Sequence, residues 1–426
     1  MKRALQIAGL LLFAALSVLF YMSWLAEREP HVPGVAASDG AAQVARGRYL
    51  ALAGNCAACH TARGGPAYAG GREVRTPFGD IYSSNLTPDA KTGLGAWSAD
   101  DFWRALHHGK AKDGRRLYPA FPYLNYAKVN RADADALFAY LRTLAPVSEP
   151  NRENTLRFPY NQPLLLAGWR ALYFRPGVYE NESAQSAQWN RGAYLVQGLG
   201  HCNACHTSRD PLGGSNLKED LAGGLIPVLN WYAPALAGEG QANAQSGAAG
   251  HVAKLLKTGV SEKGAAYGPM AEVVYSSLQH LDDADIQAMA GYLQSLPPPP
   301  APSPPPAVNP VEMMRVMDAG AKLYAKHCAD CHGAEGAGQA PAYPPLAGNR
   351  SLALPSAVNP IRLVLNGGYP PGTAGNPRPY GMPPFRLVLS NDEVAAVLTY
   401  ARNSWGNKGG PVSSVEVGRF AAVPLE

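Results

Sequence analysis

Cys56-Ala57-Ala58-Cys59-His60 returns as Cys202-Asn203-Ala204-Cys205-His206 and again as Cys328-Ala329-Asp330-Cys331-His332. Each stretch has the Cys-x-x-Cys-His spacing of a covalent heme attachment site. Two thiols one helical turn apart can each form a thioether to one edge of the porphyrin, and the adjoining histidine can turn its imidazole onto the iron. A single copy would also suit a thioredoxin-like redox pair or half of a zinc site. The third copy removes that ambiguity. All 6 cysteines lie in these motifs, so none remains for a structural disulfide. The motifs predict three covalently bound heme c groups. Cys56, Cys59, Cys202, Cys205, Cys328 and Cys331 are the anchors, and His60, His206 and His332 are the proximal iron ligands.

Length and composition agree with several small domains. A chain of 426 residues suffices for about three of them. Hydrophobic residues make up 46% and charged residues only 16%, with 45 Gly and 38 Pro. That mixture fits loop-rich domains in which a large apolar cofactor replaces part of the core. A net charge of +5, without a dense Lys/Arg run, gives no reason to invoke nucleic acid. Lys2 and Arg3 precede an apolar run from about Ala4 to Ala26, long enough to span a bilayer as a helix. Charge ahead of the run predicts a cytoplasmic N-terminus with everything after it exported. The competing reading, a cleaved signal peptide, has no clean small-x-small site to support it.

Three internal repeats follow, each opened by a helix that runs into its motif. Gly47-Arg48-Tyr49-Leu50, Gly192-Ala193-Tyr194-Leu195 and Gly320-Ala321-Lys322-Leu323-Tyr324 place a glycine eight to ten residues before the first cysteine. A second helix closes each repeat and carries Tyr140, Tyr292 or Tyr400. A glycine facing a tyrosine would let the two helices cross closely, and no chemistry is assigned to the tyrosines. Ser390-x-x-Glu393 reads as a capping box. The predicted boundaries are a membrane anchor over 1–28, domains over 42–145, 187–296 and 311–408, a Pro-rich linker over 297–310 and a tail over 409–426. The linker reads as polyproline II running along a domain surface, and Leu164–Leu172 reads as a docking stretch.

The second axial ligand of such an iron is often methionine, which raises the potential. Met270, in the Gly/Pro loop predicted at Tyr267-Gly268-Pro269-Met270, and Met382 in Tyr380-Gly381-Met382-Pro383-Pro384 stand at matching places after their histidines, and both are predicted distal ligands. Met289, Met313, Met314 and Met317 read as helix packing. The first repeat departs from this pattern. Tyr118-Pro119-Ala120-Phe121-Pro122-Tyr123 puts Phe121 where the sulfur should be. That leaves an open iron, a ligand from another domain or subunit, or His107 or His108, whose ordinary reading is a solvated helix terminus. A peroxidase-like or oxidase-like enzyme would need an open first iron and a distal acid–base group, for which only His107, His108 or Arg104 are placed. No catalytic residue is predicted, and no Gly-rich dinucleotide loop or nucleophile elbow occurs.

At this point the chain resembles the triheme cytochrome c subunits of membrane-bound periplasmic dehydrogenases. The most specific residues are Thr76-Pro77-Phe78-Gly79, Ser84-Asn85-Leu86-Thr87-Pro88-Asp89, Gly95-Ala96-Trp97-Ser98 and Asp113-Gly114-Arg115. Weaker matches are Trp231-Tyr232-Ala233-Pro234 and Tyr343-Pro344-Pro345-Leu346-Ala347-Gly348-Asn349. The resemblance implies an all-α chain of three tandem cytochrome c-like heme domains with loop-rich connections, behind an N-terminal transmembrane helix. It further implies a location on the periplasmic side of the bacterial inner membrane. Electrons would pass from a catalytic dehydrogenase subunit to ubiquinone or a terminal oxidase. Cytochromes of quinoprotein alcohol and flavin sugar dehydrogenases usually read Pro-Ala-Met-Pro-Tyr in the first domain. The variant with Phe121 looks more like the partners of molybdenum and iron–sulfur enzymes, the aldehyde or N-heterocycle dehydrogenases.

Overall fold

The computed structural model describes residues 40–237, 248–299, 309–340 and 342–421, with isolated positions before residue 22. Apart from those positions, the anchor expected over 1–28 lies outside the described residues, as does most of the Pro-rich linker. No helix among the described residues is long and apolar enough to cross a membrane. The chain gathers into two compact units, Met1–Ala204 with Arg209–Ser215, and Cys205–Ser208 with Asn216–Glu426.

The first unit opens with α1 (Gly40–Ala53), which runs into the short turn α2 (Cys56–Cys59). Strands β1 (Glu73–Thr76) and β2 (Gly79–Tyr82) form a hairpin with Val74 opposite Ile81. Helix α3 (Ala99–His108) starts at a capping box in which Ser98 and Asp101 exchange hydrogen bonds, and it stops at Gly109 with φ 60°. A short turn α4 (Tyr123–Tyr126) and α5 (Arg131–Leu141) follow, and β3 (Thr155–Leu156) then adds a third strand to the hairpin. Helix α6 (Pro163–Tyr173) covers the expected docking stretch. It buries Leu166, Ala167, Arg170 and Ala171 and leaves Leu164, Leu165 and Leu172 exposed. The opening helix of the second repeat, α7 (Ala187–Gln197), also belongs to this unit. It is held by Tyr194, whose hydroxyl donates to the fully buried Asp133 at 2.6 Å, beside Arg46 Nε at 2.6 Å on the other oxygen.

The turn α8 (Asn203–His206) carries the chain into the second unit. There β4 (Gly224–Ile226) and β5 (Trp231–Ala233) form a hairpin, and the helices are α9 (Ala248–Thr258), α10 (Pro269–Ser276) and α11 (Asp283–Ser295). A two-residue hairpin, β6 (Val260–Ser261) with β7 (Gly264–Ala265), joins α9 to α10. The third repeat contributes α12 (Pro310–His327), α13 (Ala329–His332), α14 (Arg350–Ala353), α15 (Val358–Asn366), α16 (Asn391–Asn403) and α17 (Ser414–Ala421). Tyr324, Val358, Ile361, Leu365, Val394, Leu398, Val417 and their neighbours form one apolar cluster. The expected capping box at Ser390 and Glu393 is present. The architecture is helical as expected, and the three small antiparallel sheets are additions that short, irregular strands did not announce.

The expected close crossing of opening and closing helices is found twice. A Cβ on Gly47 would overlap the Ala136 carbonyl and lie 2.9 Å from Cβ of Tyr140. On Gly320 it would overlap the Ala396 carbonyl and lie 2.7 Å from Cβ of Tyr400. Gly192 and Tyr292 stand in different units. Forcing a methyl into either crossing is overpacking, so Gly47→Ala and Gly320→Ala should each lose about 1–3 kcal/mol of stability. Urea unfolding followed by far-UV circular dichroism measures this, and an unchanged midpoint would show that the helices can part without penalty.

Candidate heme attachment sites

None of the six cysteines is in a disulfide. Cys56 and Cys59 bracket one turn of α2, and Cys59 and Cys205 are exposed while the other four are half-buried. Burial, aided by the neighbouring Cys59, pushes the Cys56 thiol up to about 12, and burial pushes Cys328 up to about 11. A dithiol redox pair needs a depressed thiol pKa. Thiols held neutral are instead suited to becoming thioethers, which carry no charge to desolvate. An arginine clamps the turn in the first two motifs. Arg72 Nη1 donates to the Ala58 carbonyl at 2.5 Å, and Arg209 Nη2 donates to the Ala204 carbonyl at 2.7 Å.

The histidines share one arrangement. His60 Nδ1 lies 2.7 Å from the Ser84 carbonyl, His206 Nδ1 2.7 Å from that of Pro234, and His332 Nδ1 2.9 Å from that of Pro344. A carbonyl can only accept, so each Nδ1 carries the proton and each Nε2 keeps a free lone pair. Desolvation lowers the pKa of all three against these stabilising bonds, His206 to about 4, so all stay neutral near pH 7. The backbone repeats as well. The carbonyls of His60, His206 and His332 accept from the amides of Gly70, Gly223 and Gly338, each at 2.8 Å. Those glycines have φ of 79°, 89° and 68°, which L side chains rarely adopt. A Cβ on Gly70 would lie 2.6 Å from the Ser84 carbonyl carbon, on Gly223 3.1 Å from that of Pro234 and on Gly338 2.7 Å from that of Pro344. The glycine therefore lets the carbonyl-bearing segment pass close enough to meet the imidazole. Sequence reading misses this device, although three of the six stretches quoted for their family resemblance supply the carbonyls.

The opposite faces differ. Met270 stands in the first turn of α10, after Gly268 with φ 56°, and not in a loop as expected. A Cβ on Gly268 would lie 2.6 Å from the Trp231 ring. Met382 exchanges backbone hydrogen bonds with Gly368 at 2.8 and 3.0 Å and packs on the third-repeat core. Both methionines are half-buried. Phe121 sits 5.3 Å from the ring of Tyr126 and 6.5 Å from that of Tyr123. His107 and His108 are not a solvated helix end. They are 7% and 3% exposed, because residues 103, 106 and 107 share one face of α3. The His107 ring stacks on that of Trp103 at 4.4 Å. Arg104 Nη2 donates to Asp101 at 2.6 Å.

These donors fit a covalently held heme: two cysteines outside any disulfide, and an imidazole with one nitrogen committed and the other free. A zinc ion would need about four donors, and among the described residues no group of three His, Cys, Asp or Glu gathers to supply them. The profile of the family described as Cytochrome c matches residues 44–145, 190–297 and 317–405. The chain belongs to the cytochrome c family, whose members bind heme c covalently. It is 42% identical to a nicotinate dehydrogenase subunit of Pseudomonas putida over 90% of its own length and 32% of that protein's, so it spans about a third of that relative. It is 38% identical to the gluconate 2-dehydrogenase cytochrome c subunit of Pantoea cypripedii, covering 86% of each chain. With the alcohol dehydrogenase (quinone) cytochrome c subunit of Gluconacetobacter polyoxogenes it shares 36%, over 88% of this chain and 83% of that one.

His107 makes the first unit acid-sensitive. Desolvation, with the adjacent His108 next, lowers its pKa from 6.5 to about 4. The unfolded chain therefore binds the extra proton first as pH falls. The contribution to stability is complete above about pH 6.5 and is lost as pH drops through about 4, amounting to at most about 3 kcal/mol. Urea midpoints measured from pH 7 to 4 should fall in the native protein and fall less in His107→Gln.

Proposed function

We propose that the chain is a triheme electron-transfer subunit of a membrane-bound periplasmic dehydrogenase complex. The observation that carries this reading is the threefold repetition of one arrangement, a neutral imidazole with Nδ1 on a carbonyl beside a Cys-x-x-Cys pair. Each heme, when bound, supplies a one-electron iron couple. Cys56 and Cys59, Cys202 and Cys205, and Cys328 and Cys331 hold the porphyrins. His60, His206 and His332 present Nε2 to the irons. Met270 and Met382 would supply thioether sulfur as second ligands to the second and third irons, and Phe121 would supply none to the first. The apolar run over 1–28 anchors the chain, leaving the heme domains on the periplasmic side of the inner membrane. The partners are a catalytic dehydrogenase subunit on one side and ubiquinone or a terminal oxidase on the other.

A molybdenum and iron–sulfur partner, of the aldehyde or N-heterocycle dehydrogenase type, is favoured. Phe121 within Pro-Ala-Phe-Pro-Tyr supports it, as does the 42% identity to a nicotinate dehydrogenase subunit. The second reading is the cytochrome of a PQQ alcohol or flavin sugar dehydrogenase, supported by coverage of 86% and 83% of relatives so named. A peroxidase-like role for the first site draws no support from His107 and His108, which are packed in the core, or from Arg104, which is paired with Asp101.

Copurification of the native complex tests the partner. Molybdenum in the associated subunit is the expected result, and PQQ or flavin there would favour the second reading. Met270→Ala and Met382→Ala should each abolish the sulfur-to-iron absorption of one heme and lower its potential, since thioether ligation raises it. An intact spectrum in either variant would remove that methionine from the ligand set. The mass of the purified polypeptide should include three heme groups, with no titratable thiol.

A further inference from the structure

The first unit holds an aromatic contact that the proposed function does not use. Tyr126 in α4 is buried, and its ring lies 5.8 Å from that of His201 at 76°, edge to face. Both side chains converge on one atom. The Tyr126 hydroxyl is 3.4 Å from the Gly54 carbonyl, and the same carbonyl favours the protonated form of the His201 imidazole, whose pKa burial lowers. Gly54 stands two residues before Cys56, and His201 immediately precedes Cys202. On its other side Tyr126 meets Phe121 at 5.3 Å. A line of rings, Phe121–Tyr126–His201, therefore runs from the residue at the predicted distal position of the first repeat to the residue just before Cys202.

The surroundings make the contact rigid. Asn125, next to Tyr126, donates through Nδ2 to the Gln197 carbonyl at 2.7 Å and to Asn203 Oδ1 at 2.8 Å, grasping the second motif on both sides of His201. A Cβ on Gly54 would lie 3.3 Å from Cys56 Sγ and 3.4 Å from Leu199 Cδ2, so the backbone ahead of the first motif runs close to Leu199, three residues before Cys202. His201 adopts φ 36°, an uncommon conformation for a residue with a side chain, which persists only where the surroundings over-determine it.

We propose that Tyr126 and His201 are positioning residues that clamp the first and second attachment sites to each other and couple electron exchange between them. The inference rests on the heme assignment above. One electron leaves the reduced iron and arrives at the oxidised one, with no bond or proton changing place. Contiguous packed and hydrogen-bonded groups can carry coupling between two sites, and edge-to-face is a favoured arrangement of aromatic pairs at this separation.

The test uses the full-length holoprotein, with heme content measured first and intramolecular electron redistribution then followed after pulse radiolysis. His201→Ala should retain its hemes and lose the fast phase of exchange between the first and second sites. His201→Phe, which keeps a ring against Tyr126, should recover more of that phase than His201→Gln, which keeps a hydrogen-bonding group alone. Full heme content with an unchanged fast phase in His201→Ala would overturn the proposal. If His201→Ala does not mature, Tyr126→Leu supplies the decisive measurement, and an undiminished fast phase there also overturns it. A wild-type protein without covalent heme would instead defeat the underlying assignment, a result distinguishable from either.

Discussion

An imidazole can serve a metal through Nε2 only if something else decides where the proton on the ring resides. In this chain that decision falls to a main-chain carbonyl, at Ser84, Pro234 and Pro344. A hydrogen bond of this kind contributes only about 1 kcal/mol net, yet it fixes tautomer and ring orientation together. The carbonyl must reach the ring, and the segment that bears it must pass close to the residue following the motif. Gly70, Gly223 and Gly338 make that approach possible, since a side chain at any of them would strike the passing backbone. The glycine amide then ties the histidine's own carbonyl, so both ends of the residue are held.

The same economy governs the larger scale. Gly47 and Gly320 let an opening helix press against the carbonyl of Ala136 or Ala396 on a closing helix. The opening helix ends at the motif, so the depth of this crossing sets where the cysteines emerge. Asp133 extends the logic to the second repeat. Buried without exposure, it is compensated by Arg46 and by the hydroxyl of Tyr194, and a buried carboxylate with fewer partners would be costly. Helix α7 is thereby gathered with the first repeat, while Cys205 and His206 are gathered with the second unit.

What is legible in the sequence is whatever depends on spacing along the chain. Cys-x-x-Cys-His, the glycine before each motif, the tyrosine-bearing helices and the capping box at Ser390 are local patterns with a local cause. The histidine's partners are not legible, because a carbonyl has no residue type and lies at a different separation in each repeat. His201 escapes notice because a residue flanking a strong motif reads as its border. His107 and His108 mislead for another reason. Two histidines before Gly109 read as a polar helix end, although Trp103 and Leu106 already define the face on which residue 107 must be buried. Met270 reads as a loop residue because Gly-Pro signals a break, whereas proline is equally at home in the first turn of a helix.

The contrast between constant and variable parts bears on what the first repeat is for. Its proximal arrangement matches the other two in hydrogen bond, glycine and tautomer. Phe121 stands at its predicted distal position, beside the rings of Tyr123 and Tyr126. Within the proposed assignment, attachment is held constant while the group facing the iron varies, and axial ligation is one of the few levers a protein has on heme potential. A site without thioether sulfur is expected to lie lower in potential than the two that have it. Such a site would yield its electron readily to a neighbour, and the ring beside Phe121 belongs to the residue that reaches His201. Under that assignment the departure at Phe121 and the contact at His201 would both act on one exchange, the one between the first and second sites.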